Sequence, residues 1–86
     1  MGGQEWQHIY DNTNACFTDF TQRLQEAFPG LKEEDIRFCC LVKMELPLEL
    51  IALIFNIEKG SVSQRKQRLR SKMDISGTFD EFIQAF

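Results

Sequence analysis

The chain has 86 residues, 43% hydrophobic and 27% charged, with 5 Gly and 2 Pro, which allows one domain with one modest core and excludes disordered, collagen-like and low-complexity classes. No stretch approaches the roughly 20 apolar residues of a membrane span, no signal-peptide layout opens it, and its three cysteines fit neither a disulfide framework nor metal-ligand spacing, so a reducing cytoplasm is expected. The net charge of −3 divides into −6 over residues 1–58, +6 over residues 59–73 and −3 over residues 74–86, and phosphate responds to local charge, so the total does not exclude a nucleic-acid partner.

Met1-Gly2-Gly3 reads as a start or cloning remnant rather than structure. Beyond it, Trp6, Tyr10, Phe17, Phe20, Leu24 and Phe28 recur every three or four positions, apart from a polar step at Thr13. That spacing is the signature of one amphipathic helix face over residues 1–30. Asp11, Asn12 and Asn14 lower helix propensity and place any break near themselves. Pro29-Gly30 ends the segment, because Pro cannot continue a helix and Gly accepts a turn.

Leu31 to Met44 reads as a second helix, with Glu33, Glu34 and Asp35 in its first turn and Lys43 in its last, each complementing the helix dipole. Leu31, Phe38, Leu41 and Val42 form its apolar stripe, widened by Ile36, Cys39 and Cys40. A third helix starts around Pro47 at a first helical position and runs through LELIALIF, apolar nearly all round, to about Phe55. Residues 56–60 are a tight connection. A fourth helix follows through SVSQRKQRLRSKM, with Val62, Leu69 and Met73 on one face. After the Ser76-Gly77 turn, a closing segment TFDEFIQAF carries Thr78 as N-cap, with Glu81 three residues on as a capping box. The expectation is an all-α small helical bundle, one compact domain: residues 1–30, 31–73 and 74–86.

Two short helices joined by a tight turn, the second basic, are the sequence form of a helix-turn-helix. Residues 59–73 carry Lys59, Arg65, Lys66, Arg68, Arg70 and Lys72 and no anion. With Val62 at the centre of the inner face, 100° per residue brings Lys66, Leu69 and Met73 near the same side. Gly60, Gln64, Gln67 and Ser71 then point outward, with Ser61, Ser63 and Arg68 beside them. Small and hydrogen-bonding residues suit base edges in the major groove. Arg65, Lys66, Arg70 and Lys72 lie toward the flanks, where long stems can carry charge to phosphates. A basic amphipathic helix is also the form of an ordinary solvated face. The concentration of cations in an otherwise acidic chain favours the DNA-facing alternative.

The stretch from Leu31 to Met73, LKEEDIRFCCLVKMELPLELIALIFNIEKGSVSQRKQRLRSKM, resembles the DNA-binding domain of LuxR-type (GerE-like) transcription regulators. That family's pattern runs roughly LTxREREVLxLIAxGxSNKEIAxxLxISxxTVxxHxxxIxxKL and aligns without a gap. Leu31, Asp35, Phe38, Leu41, Val42, Ile51, Ala52, Phe55, Ile57, Ser61, Val62, Leu69, Lys72 and Met73 fall on identical or similar residues. Within the family, RFCCLVKM and RLQEAFPGL look most like the C-terminal output domains of Bacteroidetes sensor-regulators. Departures are Glu45 for the Gly between the first two helices, Pro47 and Leu50 for the capping box, Glu58 for the Ser before the recognition helix, and Arg65 for the common His.

The resemblance implies a LuxR-type helix-turn-helix with an added N-terminal helix. It implies a non-catalytic output domain of a bacterial regulator, acting as a homodimer on double-stranded DNA and governed by a sensor domain of the same longer chain. Lys59, Ser61, Ser63, Gln64 and Gln67 are the expected base readers, and Arg65, Lys66, Arg68, Arg70 and Lys72 the expected phosphate contacts. No cofactor, metal or membrane contact is expected: His8 is the only histidine, the Glu33-Glu34-Asp35 run lacks calcium-loop spacing, and Cys39-Cys40 reads as core. Leu48, Leu50, Leu53 and Ile54 exceed one face of a short helix, so either the Trp6–Phe28 helix folds back over them or they meet a second copy or another domain. Phe79, Phe82, Ile83 and Phe86 pose the same choice between closing the core and pairing subunits. Two rivals stay open: an interaction or dimerisation module that kept the fold and lost DNA binding, and a relative of sigma-factor region 4, which the regulator-like N-terminal flank disfavours.

Overall fold

The computed structural model describes residues 3–86, with side chains from residue 5 onward. Six helices and no strand occur among the described residues: α1 Gly3–Cys16, α2 Phe20–Ala27, α3 Glu33–Lys43, α4 Leu48–Phe55, α5 Lys59–Lys72 and α6 Phe79–Ala85. The all-α expectation is borne out. Met1 and Gly2 lie outside the described residues, whereas Gly3 opens α1. No described helix is long and apolar enough to cross a membrane.

The N-terminal stripe is two helices rather than one. Its break falls at Phe17–Asp19, later than the Asp11–Asn14 cluster, with Thr18 and Asp19 in left-handed backbone. Asn14 explains the shift. Instead of breaking α1, its side-chain oxygen accepts from both the backbone N–H and the hydroxyl of Thr21, so it stabilises the start of α2 from across the turn. Arg23 then closes the turn by donating to the carbonyls of Phe17 and Thr18. Apolar spacing survives the break, and Trp6, Phe20 and Leu24 are buried on the same side. Thr13 is buried with them; its hydroxyl donates to the Ile9 carbonyl at 2.7 Å, which removes the cost of a polar step in the stripe.

α3 is the central helix, packed on by α1, α2 and α6. Ile36 and every residue from Phe38 to Lys43 are buried. Burial pushes the Cys40 thiol up to about 12 and the Cys39 thiol higher still, which suits inert core side chains. Lys43 is buried without a carboxylate. Its ammonium donates to the Gln84 carbonyl at 2.8 Å and lies 4.9 Å from the Phe17 ring centroid. Burial, with Arg23 nearby, pulls its pKa down. Gln84 answers by donating to the Val42 carbonyl, so the ends of α3 and α6 are tied in both directions.

The aromatic residues of α6 close the core. Phe79 and Ile83 are buried, while Phe82 and Phe86 pack edge-on against Phe28 and Phe20. Thr78 caps the helix by accepting from the Glu81 N–H at 3.1 Å.

Three helices end by one device. Glu45, Asn56 and Asp74 each adopt left-handed backbone after α3, α4 and α5. The next residue (Leu46, Ile57 or Ile75) then returns its N–H to a carbonyl five positions back. This is the Schellman motif with its usual apolar follower, made here without glycine. Glu45 therefore takes up, at φ 59, the left-handed position that glycine most often fills at a helix end. Pro47 stands one position earlier than expected, as N-cap of α4 in extended backbone, its carbonyl accepting from Leu50 and Ile51.

Candidate nucleic-acid interface

α4 and α5 are joined by three residues, Asn56, Ile57 and Glu58, and pack on each other. Ile57 returns its N–H to Ala52, and the Glu58 carbonyl accepts from Ser61 and Val62 to start α5. Val62, Leu69 and Met73 are buried, which fixes the rotation of α5 about its axis. Gly60, Ser63, Gln64, Gln67, Arg68, Ser71 and Lys72 are exposed, while Ser61, Arg65, Lys66 and Arg70 are half-buried on the flanks. Lys59 is exposed at the helix start.

Two open hollows flank the exposed ridge. One is lined by Ser61, Gln64, Arg65 and Arg68, with Ile57 from the turn. The other is lined by Ser63, Lys66, Gln67 and Arg70, facing residues 77–80 ahead of and within α6. The expected site residues are thus brought together in two groups rather than one. Lys59 and Lys72 stand outside both.

Most of the cations already have partners. Lys66 lies 3.0 Å from the Asp80 carboxylate of α6, Arg70 donates to the Gly77 carbonyl, and Lys72 lies 2.9 Å from Asp35 of α3. Lys59 sits 3.7 Å from Glu49 of α4 with both side chains mostly in water. Burial works against the Asp35 carboxylate, but Lys72 and the Lys32 backbone N–H outweigh it and hold the carboxyl below its usual range. Arg65 is positioned differently. Its guanidinium stacks 5.1 Å from the Phe55 ring centroid and 5.7 Å from that of Phe38. Among the described residues, neither Arg65 nor Arg68 has a carboxylate within ion-pair distance.

Sequence reasoning missed Asp80, Asp35, the Gly77 carbonyl and the Phe38–Phe55 platform as determinants of this face. Asp35 was legible as a dipole-complementing residue, not as a lysine's partner 37 positions away. The apolar surplus of α4 stays partly uncovered. α1 reaches α4 through Trp6 on Phe55, with ring centroids 5.8 Å apart, yet Leu53 remains 75% exposed and Leu50 37%. No cluster of three or more His, Cys, Asp or Glu with metal-binding geometry occurs among the described residues. Comparison of the chain with protein-family models, with curated proteins and with solved structures found no match.

Proposed function

We propose that this protein is a sequence-specific DNA-binding output domain of a transcription regulator, with α4 and α5 as a LuxR-type helix-turn-helix and α1 and α2 as its added N-terminal part. The observation that carries the reading is α5 itself. It presents a row of small and amide side chains outward, between six cations, on a body that is otherwise acidic. Such a helix can enter the major groove with its outer row at base edges, while charge at its margins neutralises phosphates. The acidic remainder repels DNA elsewhere, so one face alone is available for docking. The reaction chemistry is nil: the domain binds, and a partner sensor domain in a longer chain governs when.

The test is a titration of the protein with duplex DNA fragments at several salt concentrations. Binding whose logarithm falls linearly with the logarithm of salt supports the reading. Absence of binding even at low salt overturns it.

A second reading, an interaction module of the same fold, is favoured by Leu53 and Leu50 on the outer face of α4. Homodimerisation through that face belongs to both readings. Sedimentation of the protein and of Leu53→Glu checks it: a dimer that Leu53→Glu converts to monomer supports the contact, and a monomer at every concentration removes it.

A further inference from the structure

The two flanks of α5 carry similar residue types but are not equivalent, and the difference assigns them separate roles. We propose that the hollow formed by Ser61, Gln64, Arg65 and Arg68 is the seat of a phosphodiester group of the DNA backbone. The cations Lys66, Arg70 and Lys72 are instead structural ties that hold α5 to α6 and α3. This inference rests on the DNA-binding reading above and sharpens it, because it moves Ser61 and Gln64 from base reading to backbone holding.

The geometry of the hollow fits this group. Arg65 is held over Phe38 and Phe55, so its planar fork is oriented before any ligand arrives. Pre-oriented guanidinium donors match phosphate oxygens bidentately, and less side-chain entropy is lost on binding. Arg68, one turn along, is exposed and has no protein partner among the described residues, so it is available as the second arm. The Ser61 hydroxyl and Gln64 amide add neutral donors on the same wall. Ile57 lines the same hollow from the turn. The hollow is open to solvent, which suits a phosphate carried on a polymer rather than an enclosed small molecule.

The opposite flank lacks these properties. Lys66 is already neutralised at 3.0 Å by Asp80, and Arg70 is spent on the Gly77 carbonyl. A phosphate entering there must displace a carboxylate and then sit beside Asp80 and Glu81 at the start of α6. Like charge at that distance opposes it. Lys72 is on the favourable flank but bonded to Asp35. DNA is therefore engaged asymmetrically, along the edge of α5 nearer the α4–α5 turn.

The experiment is fluorescence anisotropy of a labelled duplex across a salt series, with wild type, Arg68→Ala, Gln64→Ala and Lys66→Met. The first two variants are checked for an unchanged thermal transition, and Lys66→Met, which loses a tie to α6, for a folded helical far-UV spectrum at the assay temperature. Arg68 is exposed and makes no ion pair among the described residues, so its loss is expected to leave folding intact. Arg68→Ala is expected to weaken binding several-fold and to lower the salt slope by about 0.9 for each bound subunit, the value of one phosphate contact on duplex DNA. Gln64→Ala is expected to weaken binding to all duplexes alike, and Lys66→Met to leave the slope unchanged. An equal slope loss from Lys66→Met and Arg68→Ala overturns the inference while leaving DNA binding in place. So does a loss from Gln64→Ala confined to one base pair. Failure of the wild type to bind duplex at low salt overturns both readings together.

Discussion

α3 and α4 are neighbours in the chain with opposite relations between composition and burial. Five of the eleven residues of α3 are charged, yet Ile36 and the run from Phe38 to Lys43 are buried. Seven of the eight residues of α4 are apolar, yet Ile51 and Ala52 are its buried positions, and Leu53 stands in water. The reason is position. α3 is enclosed by α1, α2 and α6, whereas α4 packs chiefly on α5 at the edge of the bundle. An element's hydrophobicity sets how much surface it can bury, and the number of neighbours decides how much it does bury. The central helix is thus the scaffold, and the edge pair is left free to carry a working surface.

The largest test of this contrast is in the core. Phe38 is fully buried and contacts the Phe55 and Phe79 rings, so Phe38→Ala is expected to cost about 3–5 kcal/mol in denaturant unfolding. It also removes part of the Arg65 platform. A loss below about 1 kcal/mol would mean that α3 is not the centre of the fold.

Next in size is a pH effect from the same helix. Burial raises both thiols, so above the ordinary thiol value of about 8.5 the unfolded chain releases protons that the folded chain keeps. Stability should therefore fall as pH rises, by about 1.4 kcal/mol per unit for each thiol. Tyr10, also raised, adds in the same direction. Lys43, whose pKa is lowered, works oppositely: its unfolded form binds more protons, so its contribution grows as pH rises. Two thiols outweigh one ammonium. Unfolding at about pH 8 and about pH 10 measures the difference, and a Cys39→Ala/Cys40→Ala variant should flatten it. Alkylation of the native protein should modify Cys16, which is exposed, and spare the other two.

A gain is expected where the chain turns from α3 toward α4. Glu45 is exposed at φ 59, a backbone region that disfavours side chains with a Cβ. Glu45→Gly should stabilise by about 1 kcal/mol, seen as a rise of about 4–8 °C in Tm. A loss would mean that the Glu45 side chain contributes contacts of its own.

The smallest effect belongs to α4. At concentrations where the protein is monomeric, Leu53→Gln should change stability by less than about 0.5 kcal/mol, because the side chain is 75% exposed and gives up little burial. A larger loss in the monomer would show that Leu53 is covered within its own chain, and the contrast with α3 would weaken.

Much of the fold was legible because helical periodicity is local. Trp6 to Phe28 shows its buried face by spacing alone, Pro29-Gly30 marks a boundary, and Thr78 announces the cap that it makes. The misplaced break between α1 and α2 came from treating Asn14 by its propensity. Its effect there depends on Thr21 being within reach, a relation that only the folded turn creates. The Schellman ends at Glu45, Asn56 and Asp74 were hidden because each lacks the glycine that signals them, although the apolar followers Leu46, Ile57 and Ile75 were visible in the chain.

The sequence by itself determined an all-helical chain and concentrated six cations in one helix whose inner face is set by Val62, Leu69 and Met73. Both follow from composition and a repeat of 3.6 residues, which need no knowledge of distant parts. Only the tertiary structure decided which of those cations are committed. Lys66 meets Asp80 fourteen residues on and Lys72 meets Asp35 thirty-seven residues back. Arg65 rests on rings from two other helices. Ion pairing depends on separation in space rather than along the chain, so a count of charges cannot reveal which of them remain available to a partner.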